Sequence, residues 1–274
     1  MLPALAVSMA AQAAFAFDSE AGNPILDRFN FDIGTFFYGS GTTMTLNGTL
    51  NGNMIQGTPI DLEHTLGFEA VNRFRVDGYW RFTAHQRLRF MYFQADRHVT
   101  HTLDRTIQYG NVTYPINTSV TAENKVWIGA IAYEYDFLVR EHFSLGANIG
   151  IHNLSFGLRL TGTTTNGANN QTFTASQNAS ADGPLPLVGM SGIWRPSPKF
   201  YFTLLAQALK VTVNPYSGTL QNYGMTAVWQ PFEHFGIGGG YDYFKLNASV
   251  DKTNFNGSLG WRYSGPRIFL NASF

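Results

Sequence analysis

KVWIGAIAYEYDFLVREHFSLGANIGIHNLSFGLRL, residues 125–160, is the stretch whose reading decides the fold. Every second residue from Trp127 gives Trp127, Gly129, Ile131, Tyr133, Tyr135 and Phe137, an apolar and aromatic row. The row between them, Val126, Ile128, Ala130, Ala132, Glu134 and Asp136, turns small and then acidic. After Val139-Arg140-Glu141-His142 the alternation resumes as Phe143, Leu145, Ala147, Ile149 and Ile151 against Ser144, Gly146, Asn148, Gly150 and His152. A period of two sends alternate side chains to opposite faces, so the stretch reads as an antiparallel hairpin with one apolar and one polar face. Each arm exceeds the roughly five or six residues of a globular strand. Each also reaches the roughly 9–11 residues that cross a bilayer at a tilt.

Two architectures fit such a hairpin. A soluble sandwich or lipocalin-like barrel would turn the apolar row to a core, whereas a membrane barrel would turn it to lipid and line a lumen with the polar row. The aromatics Tyr133, Tyr135, Phe137 and Phe143 around the turn resemble an interfacial girdle. Composition fits either. The 274 residues suffice for one large all-β domain or two ordinary ones. Net charge is zero and charged residues are 13%, against 15% aromatics, so no basic surface for nucleic acid is expected. With no cysteine, a disulfide framework and a Cys-based metal site are excluded. Mean hydropathy near zero suits a barrel in which only alternate residues meet lipid.

The chain begins MLPALAVSMAAQAAFAF, apolar and small, with Ala-x-Ala at Ala11-Gln12-Ala13 and Ala14-Phe15-Ala16, then turns acidic at Asp18 and Glu20. Residues 1–16 read as a secretory signal peptide and 17–274 as the mature domain. No Lys or Arg precedes the apolar run, which places the true start upstream of Met1 on this reading. The alternative is a buried N-terminal helix. No other stretch approaches ~18 apolar residues, so no inner-membrane helix is expected.

Strand periodicity then continues almost without helical interruption. Phe29 to Phe37, Phe74 to Phe82, Leu88 to Arg97, Leu187 to Trp194, Phe200 to Ala208, Tyr223 to Trp229, Phe235 to Tyr243, Phe255 to Tyr263 and Ile268 to Phe274 all alternate. Tight turns are expected near residues 85, 140, 197, 233 and 265, and longer polar connections near 50, 110, 170, 216 and 251. The strand ends beside the short turns carry Trp80, Phe82, Tyr135, Phe137, Phe143, Trp229, Phe232, Phe235, Trp261 and Tyr263, which would form one aromatic belt. A soluble protein exposing it would aggregate. Eleven segments alternate, yet closed bacterial barrels have an even number of strands. Either the loop before Gly67 hides a strand, or the last two segments are one bent strand across Ser264-Gly265-Pro266.

With its signal-like start, sorted loops and final strand ending in Phe274, the chain resembles bacterial outer-membrane β-barrel proteins of the small, porin-like class. The resemblance covers the whole mature chain. It implies a closed antiparallel up-and-down transmembrane barrel of about 10–12 strands, located in the bacterial outer membrane. It also implies contact with outer-membrane lipid and lipopolysaccharide, and recognition of Phe274 by the barrel-assembly machinery. The segment Pro59-Ile60-Asp61-Leu62-Glu63-His64-Thr65-Leu66-Gly67 looks like a motif of uncharacterised members and names no activity. Oligomeric state stays open.

The inward row would carry Asp32, Arg73, Arg75, Asp77, Arg81, Arg89, Glu134, Asp136, His152, Asp242 and Arg262. Charge of both signs suits a narrow, weakly selective passive pore, or a paired network that plugs the lumen. Ten to twelve strands enclose little space, which favours the plug or a very small channel. An enzyme acting on lipid or peptide and an adhesion or ligand-binding barrel are the alternatives. His152 and Ser155 have odd spacing and fall on opposite strand faces, so they make no nucleophile–base couple. Asp96 and His98 fall on one face and His101 on the other, which reads as a solvated strand tip near Asp104 and not as a metal site. Gly236, Gly238 and Gly240 are strand-periodic and make room for neighbouring side chains. No catalytic residue, metal ligand or cofactor is expected.

Overall fold

Ten long antiparallel strands pair in chain order and the last pairs with the first, so the sheet closes on itself. In the computed structural model the described residues are 20, 22–51, 53–166, 171–213, 216–252 and 255–274. The expected signal peptide, residues 1–16, lies outside them. In chain order the elements are β1 (Phe29–Leu46), the short β2 (Gly48–Leu50), β3 (Asn53–Ile55) and β4 (Ile60–Asp61), and the one-turn helix α1 (Leu62–Leu66). Then follow β5 (Val71–Thr83), β6 (Gln86–Thr102), the short β7 (Ile107–Tyr109) and β8 (Val112–Tyr114), β9 (Ser119–Val139) and β10 (Phe143–Asn166). The chain ends with β11 (Gln171–Ser197), β12 (Phe200–Val213), β13 (Tyr216–Trp229), β14 (Phe235–Lys252) and β15 (Phe255–Ser273). The wall consists of β1, β5, β6 and β9 to β15, while β2–β3 and β7–β8 are small hairpins within the two long loops.

The registers fix the shape of the barrel. Phe29 pairs with Trp80, then Leu88, Tyr133, Ile149, Val188, Ala208, Gln221, Lys245 and Arg262 follow around the wall, and Arg262 returns to β1 at Gly41. That is a stagger of twelve residues over ten strands, and a stagger of this kind tilts the strands by about 35–45° and keeps the lumen narrow.

From the short-turn end, the outward rows are apolar, Thr35 apart, up to Phe37, Phe74, Tyr92, Ile151, Ala208, Tyr223 and Tyr243. Beyond that level the outward residues are Asn72, Gln94, Lys125, Asn153, Lys210, Gln221 and Lys245. Nine residues of tilted strand, as from Phe143 to Ile151, match the roughly 25 Å apolar band of a membrane barrel. Trp80, Tyr135, Phe137, Phe143, Trp229, Phe232 and Phe235 are exposed at its short-turn edge.

Four expectations need correction, and three share one cause. Residue 265 is not a turn: β15 runs unbroken to Ser273, paired with β14 through Gly265 and Pro266, and its ladder to β1 holds one register on either side of those two residues. Parity therefore carries through the segment, and the two final segments count as one strand, which makes ten. With Ile268, Leu270 and Phe274 outward, Trp261 and Tyr263 must point inward, where each is 1% exposed. Arg262, expected in the lumen, points outward for the same reason. The connections expected near 170, 216 and 251 are mostly strand, because hairpins standing in water need no apolar face to hold their ladders.

The β11–β12 ladder is incomplete. β10 and β11 pair through Pro184 and Pro186, whereas β11 and β12 pair only from Val188 towards the short turns. Proline has no N–H, so both missing donors fall on the β12 side.

The parity of β15 is testable by denaturant unfolding of the refolded barrel. Trp261→Ala should lower unfolding stability by about 3–5 kcal/mol, as for a buried aromatic. Arg262→Ala should stay within about 0.5 kcal/mol, as for a surface site.

Candidate functional site

Only the lumen can hold chemistry common to all ten strands, and it is occupied from end to end. At the short-turn mouth, residues 22–28 fold under the barrel. Ile25 packs with Ile193, Tyr201, Val228 and Phe269. Asp27 accepts from Tyr79 Oη (2.6 Å), Ser273 Oγ (2.7 Å) and Asn30 Nδ2 (3.0 Å), which ties the segment to β5, β15 and β1. Tyr79 also reaches the Pro24 carbonyl at 2.8 Å. Burial pushes the Asp27 carboxyl above its usual range, and the three donors and Arg81 pull the other way.

Above this floor lie two ion networks. In one, Arg81 meets Asp136 at 2.8 Å and Arg87 meets Asp136 at 3.0 Å, all three side chains being fully buried. Arg87 also binds Glu134, which Arg89 approaches at 3.4 Å. In the other, Asp77 takes Arg75 at 2.7 Å and Arg267 at 2.8 Å, and Asp242 takes Arg75 at 3.4 Å and Arg267 at 3.0 Å. Asp32 accepts from Asn271 at 2.7 Å beside the second network. A chain of amides, Asn222 to Gln207 (2.8 Å) to Asn148 (2.7 Å), crosses β13, β12 and β10. The cavity left among these groups measures about 90 Å³, room for a few waters.

An aromatic layer closes the lumen above the charges. Tyr263 stacks on Phe244 at 4.9 Å and meets Phe36, Tyr38 and Phe93 at 5.7–5.8 Å. Trp261 donates to Tyr38 Oη at 3.0 Å and packs on Phe156 at 5.9 Å. Phe156 belongs to β10 and Trp261 to β15, five strands apart in a ring of ten, so this contact spans the lumen. His152 lies flat on Phe244 at 5.9 Å.

The first long loop folds inward over this layer. Asp61 caps α1 by accepting from His64 N at 2.9 Å, and Gly67 ends it at φ +78°, a conformation that favours glycine. Leu62 and Leu66 join the interior core. Glu63 accepts from Ser40 Oγ (2.7 Å), Thr42 N (2.6 Å) and Arg97 Nη1 (3.0 Å), which clamps the helix to the wall. The Pro59–Gly67 motif is thus a capped plug helix with one ionic anchor.

Of the charged residues expected inside, Asp32, Arg75, Asp77, Arg81, Arg89, Glu134, Asp136, His152 and Asp242 come together in this lower half of the lumen. Arg73 does not: it is half-buried and binds the carbonyls of Asn72 and Asp96. β5 and β6 part above the Arg75–Phe93 pair, so its inward parity no longer leads to the lumen. Arg262 lies on the outer wall. Sequence reasoning missed Arg87, Arg97 and Arg267, which strand parity could have supplied, and Asp27 and Glu63, which no periodicity marks. Gly238 sits under the Phe269 ring and Gly240 beside Arg267, so the glycine row makes room for side chains of β15. His152 is buried and Ser155 faces the outer crevice of β9–β11. Among the described residues no group of three His, Asp or Glu could hold a metal ion.

These features define a class: a closed transmembrane β-barrel with a filled lumen, its apolar band turned to lipid. The fold is that of bacterial outer-membrane β-barrel proteins, and the band and fold together locate the protein in the outer membrane. The outer membrane protease OmpT from Escherichia coli superposes with a TM-score of 0.59 at 9% identity, over 90% of this chain and 96% of that one. A Pseudomonas aeruginosa FadL homologue reaches 0.37 at 10% identity, over 94% and 93% of the two chains. At these identities the likeness to OmpT speaks for the fold alone. No family model matches the chain, and no curated protein sequence does.

Two measurements follow. Arg87→Met leaves Glu134 and Asp136 short of a buried partner and should cost about 3–5 kcal/mol in urea unfolding. For the floor, an acid whose folded pKa is raised adds stability below its unfolded pKa, near 3.8 for Asp27, and loses it as pH rises through the folded value. Amide protection of residues 22–28 in hydrogen exchange should therefore fall from acid to neutral pH, and Asp27→Asn should flatten that dependence.

Proposed function

We propose that this protein is a sealed, non-conducting and non-enzymatic barrel that serves as a rigid platform at the outer-membrane surface. The observation that carries this reading is the aromatic layer joining opposite walls through Phe156 and Trp261. Below it the ions are paired, and above it α1 is anchored by Glu63, which among the described residues leaves no open polar path along the lumen. A wet pore lined by charge needs side chains facing water, whereas Arg81, Arg87, Glu134 and Asp136 face each other. Insertion is assigned to the assembly machinery acting on β15 and Phe274, whose N–H binds the Phe29 carbonyl at 2.9 Å across the closing seam.

A specific observation supports the platform role. β10 and β11 stay paired from Asn153 to Asn166, beyond the apolar band, which is on the order of 40 Å of strand. A hairpin of that length presents a stiff, hydroxyl-rich surface with little ordering entropy left to lose on binding.

Planar-bilayer recording on refolded, heat-modifiable protein tests the seal. The wild type should give no stable conductance steps. A variant lacking residues 22–28 and carrying Phe156→Gly, Phe244→Gly and Trp261→Gly should give them, showing that silence reflects the filling and not failed insertion. Stable ion-selective steps from the wild type would sink the reading.

A further inference from the structure

Arg262, expelled from the lumen by the parity of β15, pairs directly across the outer wall with Lys245 of β14. Like charges directly opposite on one sheet face destabilise it. Lys210 of β12 stands on the same face, in the row Lys210, Thr219, Asn247, Gly260 that runs just above the pair. Among the described residues no hydrogen bond or ion pair engages any of the three. The outward rows Phe200–Thr212, Ser217–Trp229, Phe235–Ser249 and Ser258–Phe274 contain no acidic residue. Every buried arginine of the lumen has a carboxylate, so three neighbouring cations with no carboxylate in ion-pair contact are a departure from how this chain treats charge.

Their level on the wall says what meets them. Immediately below Lys245 on its own outward row is Tyr243, stacked on Tyr223 at 6.1 Å. That pair forms the upper rim of an outward groove of about 440 Å³ lined by Met190, Leu204, Met225 and Tyr241, all within the apolar band. Above, Lys210 borders a second crevice of about 480 Å³ lined by Thr43, Thr212, Ser217, Thr219, Asn247 and Ser258, a surface of hydroxyls and an amide. An apolar slot, then a cationic step, then a hydroxyl-lined shelf follow one another up a single wall.

We infer that this wall of β12–β15 is a binding site for one phosphorylated lipid of the outer leaflet. Its acyl chain lies in the Met190–Met225 groove, its phosphate meets Lys210, Lys245 and Arg262, and its polar headgroup rests on the shelf around Asn247. The phosphate offsets the Lys245–Arg262 repulsion, and the groove accepts a chain because its floor is made of flexible and aromatic side chains. Lipid on the bare wall would be exchangeable; lipid held at both ends would be retained.

Native mass spectrometry of the whole barrel released from nanodiscs tests this. The discs contain a phosphorylated glycolipid or its enzymatically dephosphorylated form with identical acyl chains. The wild type should retain one phosphorylated lipid. The variant Lys210→Gln/Lys245→Gln/Arg262→Gln should lower that retention at least tenfold while keeping heat-modifiable mobility. Arg159→Gln, on another wall and beside Glu123, should leave it unchanged. Met225→Glu, which charges the groove alone, should also lower it. Equal retention of both lipid forms, or full retention by the triple variant, would overturn the phosphate site. Release by Arg159→Gln to the same extent would overturn its location.

Discussion

Everything in this molecule depends on the absence of water partners for backbone groups inside a bilayer. An N–H or C=O facing hydrocarbon without a partner costs several kcal/mol, so a strand-built protein can cross only as a closed ring. Closure with ten strands and a twelve-residue stagger then sets the bore. A bore this narrow offers side chains two outcomes: they fill it, or they leave a strip of water between them. Phe156 and Trp261, meeting from opposite walls, take the first. The unpaired stretch between β11 and β12 respects the same constraint, since it begins above Val188 and Ala208, at the upper edge of the apolar band.

The filling is stratified by what each level can satisfy. Arginines and carboxylates occupy the lower half, where side chains from β5, β6, β9, β14 and β15 can surround one another, and Asp77, Glu134, Asp136 and Asp242 each meet two arginines. Such pairs return little net stability against an apolar filling, because desolvation consumes most of the Coulombic gain. They do fix geometry, since a register slip of one residue would put every charge into lipid. The upper half has no such need. It starts with the aromatic cluster at the upper edge of the band, continues beyond the membrane with water on the outer wall, and is built like the core of a soluble protein, with α1 and the two loop hairpins. The chain is thus a membrane barrel below and an inside-packed soluble barrel above.

That division explains what could be read from the sequence. Alternation from Trp127 to Ile151 gave lipid side, lumen side and hairpin correctly, because within the band one face must be apolar. Above the band both faces tolerate polar residues outside and apolar ones inside, so the pattern inverts, and Thr-, Ser- and Asn-rich strands pass for loops. Trp261 and Tyr263 sit at this inversion. Their aromatic character suggests a girdle, and only the unbroken parity from Phe274 back through Gly265 shows that they point inward. The same parity would have recovered Arg87 and Arg267. Asp27 and Glu63 could not be recovered that way, for each acts from a segment without a strand period and gains its role from partners far along the chain.

The contrast between inner and outer charge is therefore more than a matter of sorting. Inside, five arginines, Arg75, Arg81, Arg87, Arg89 and Arg267, share Asp77, Glu134, Asp136 and Asp242, because an unpaired cation there would prevent closure. Outside and above the band, water removes that compulsion, and cations stand alone at little cost. Scattered lone cations would then mean nothing. Lys245 and Arg262 are not scattered: the register sets them opposite each other, and Lys210 stands beside the next row. Water tolerates that arrangement but gives no reason for it. An anion at the height where lipid ends and water begins gives one, and the apolar groove directly beneath says that the anion comes attached to a chain.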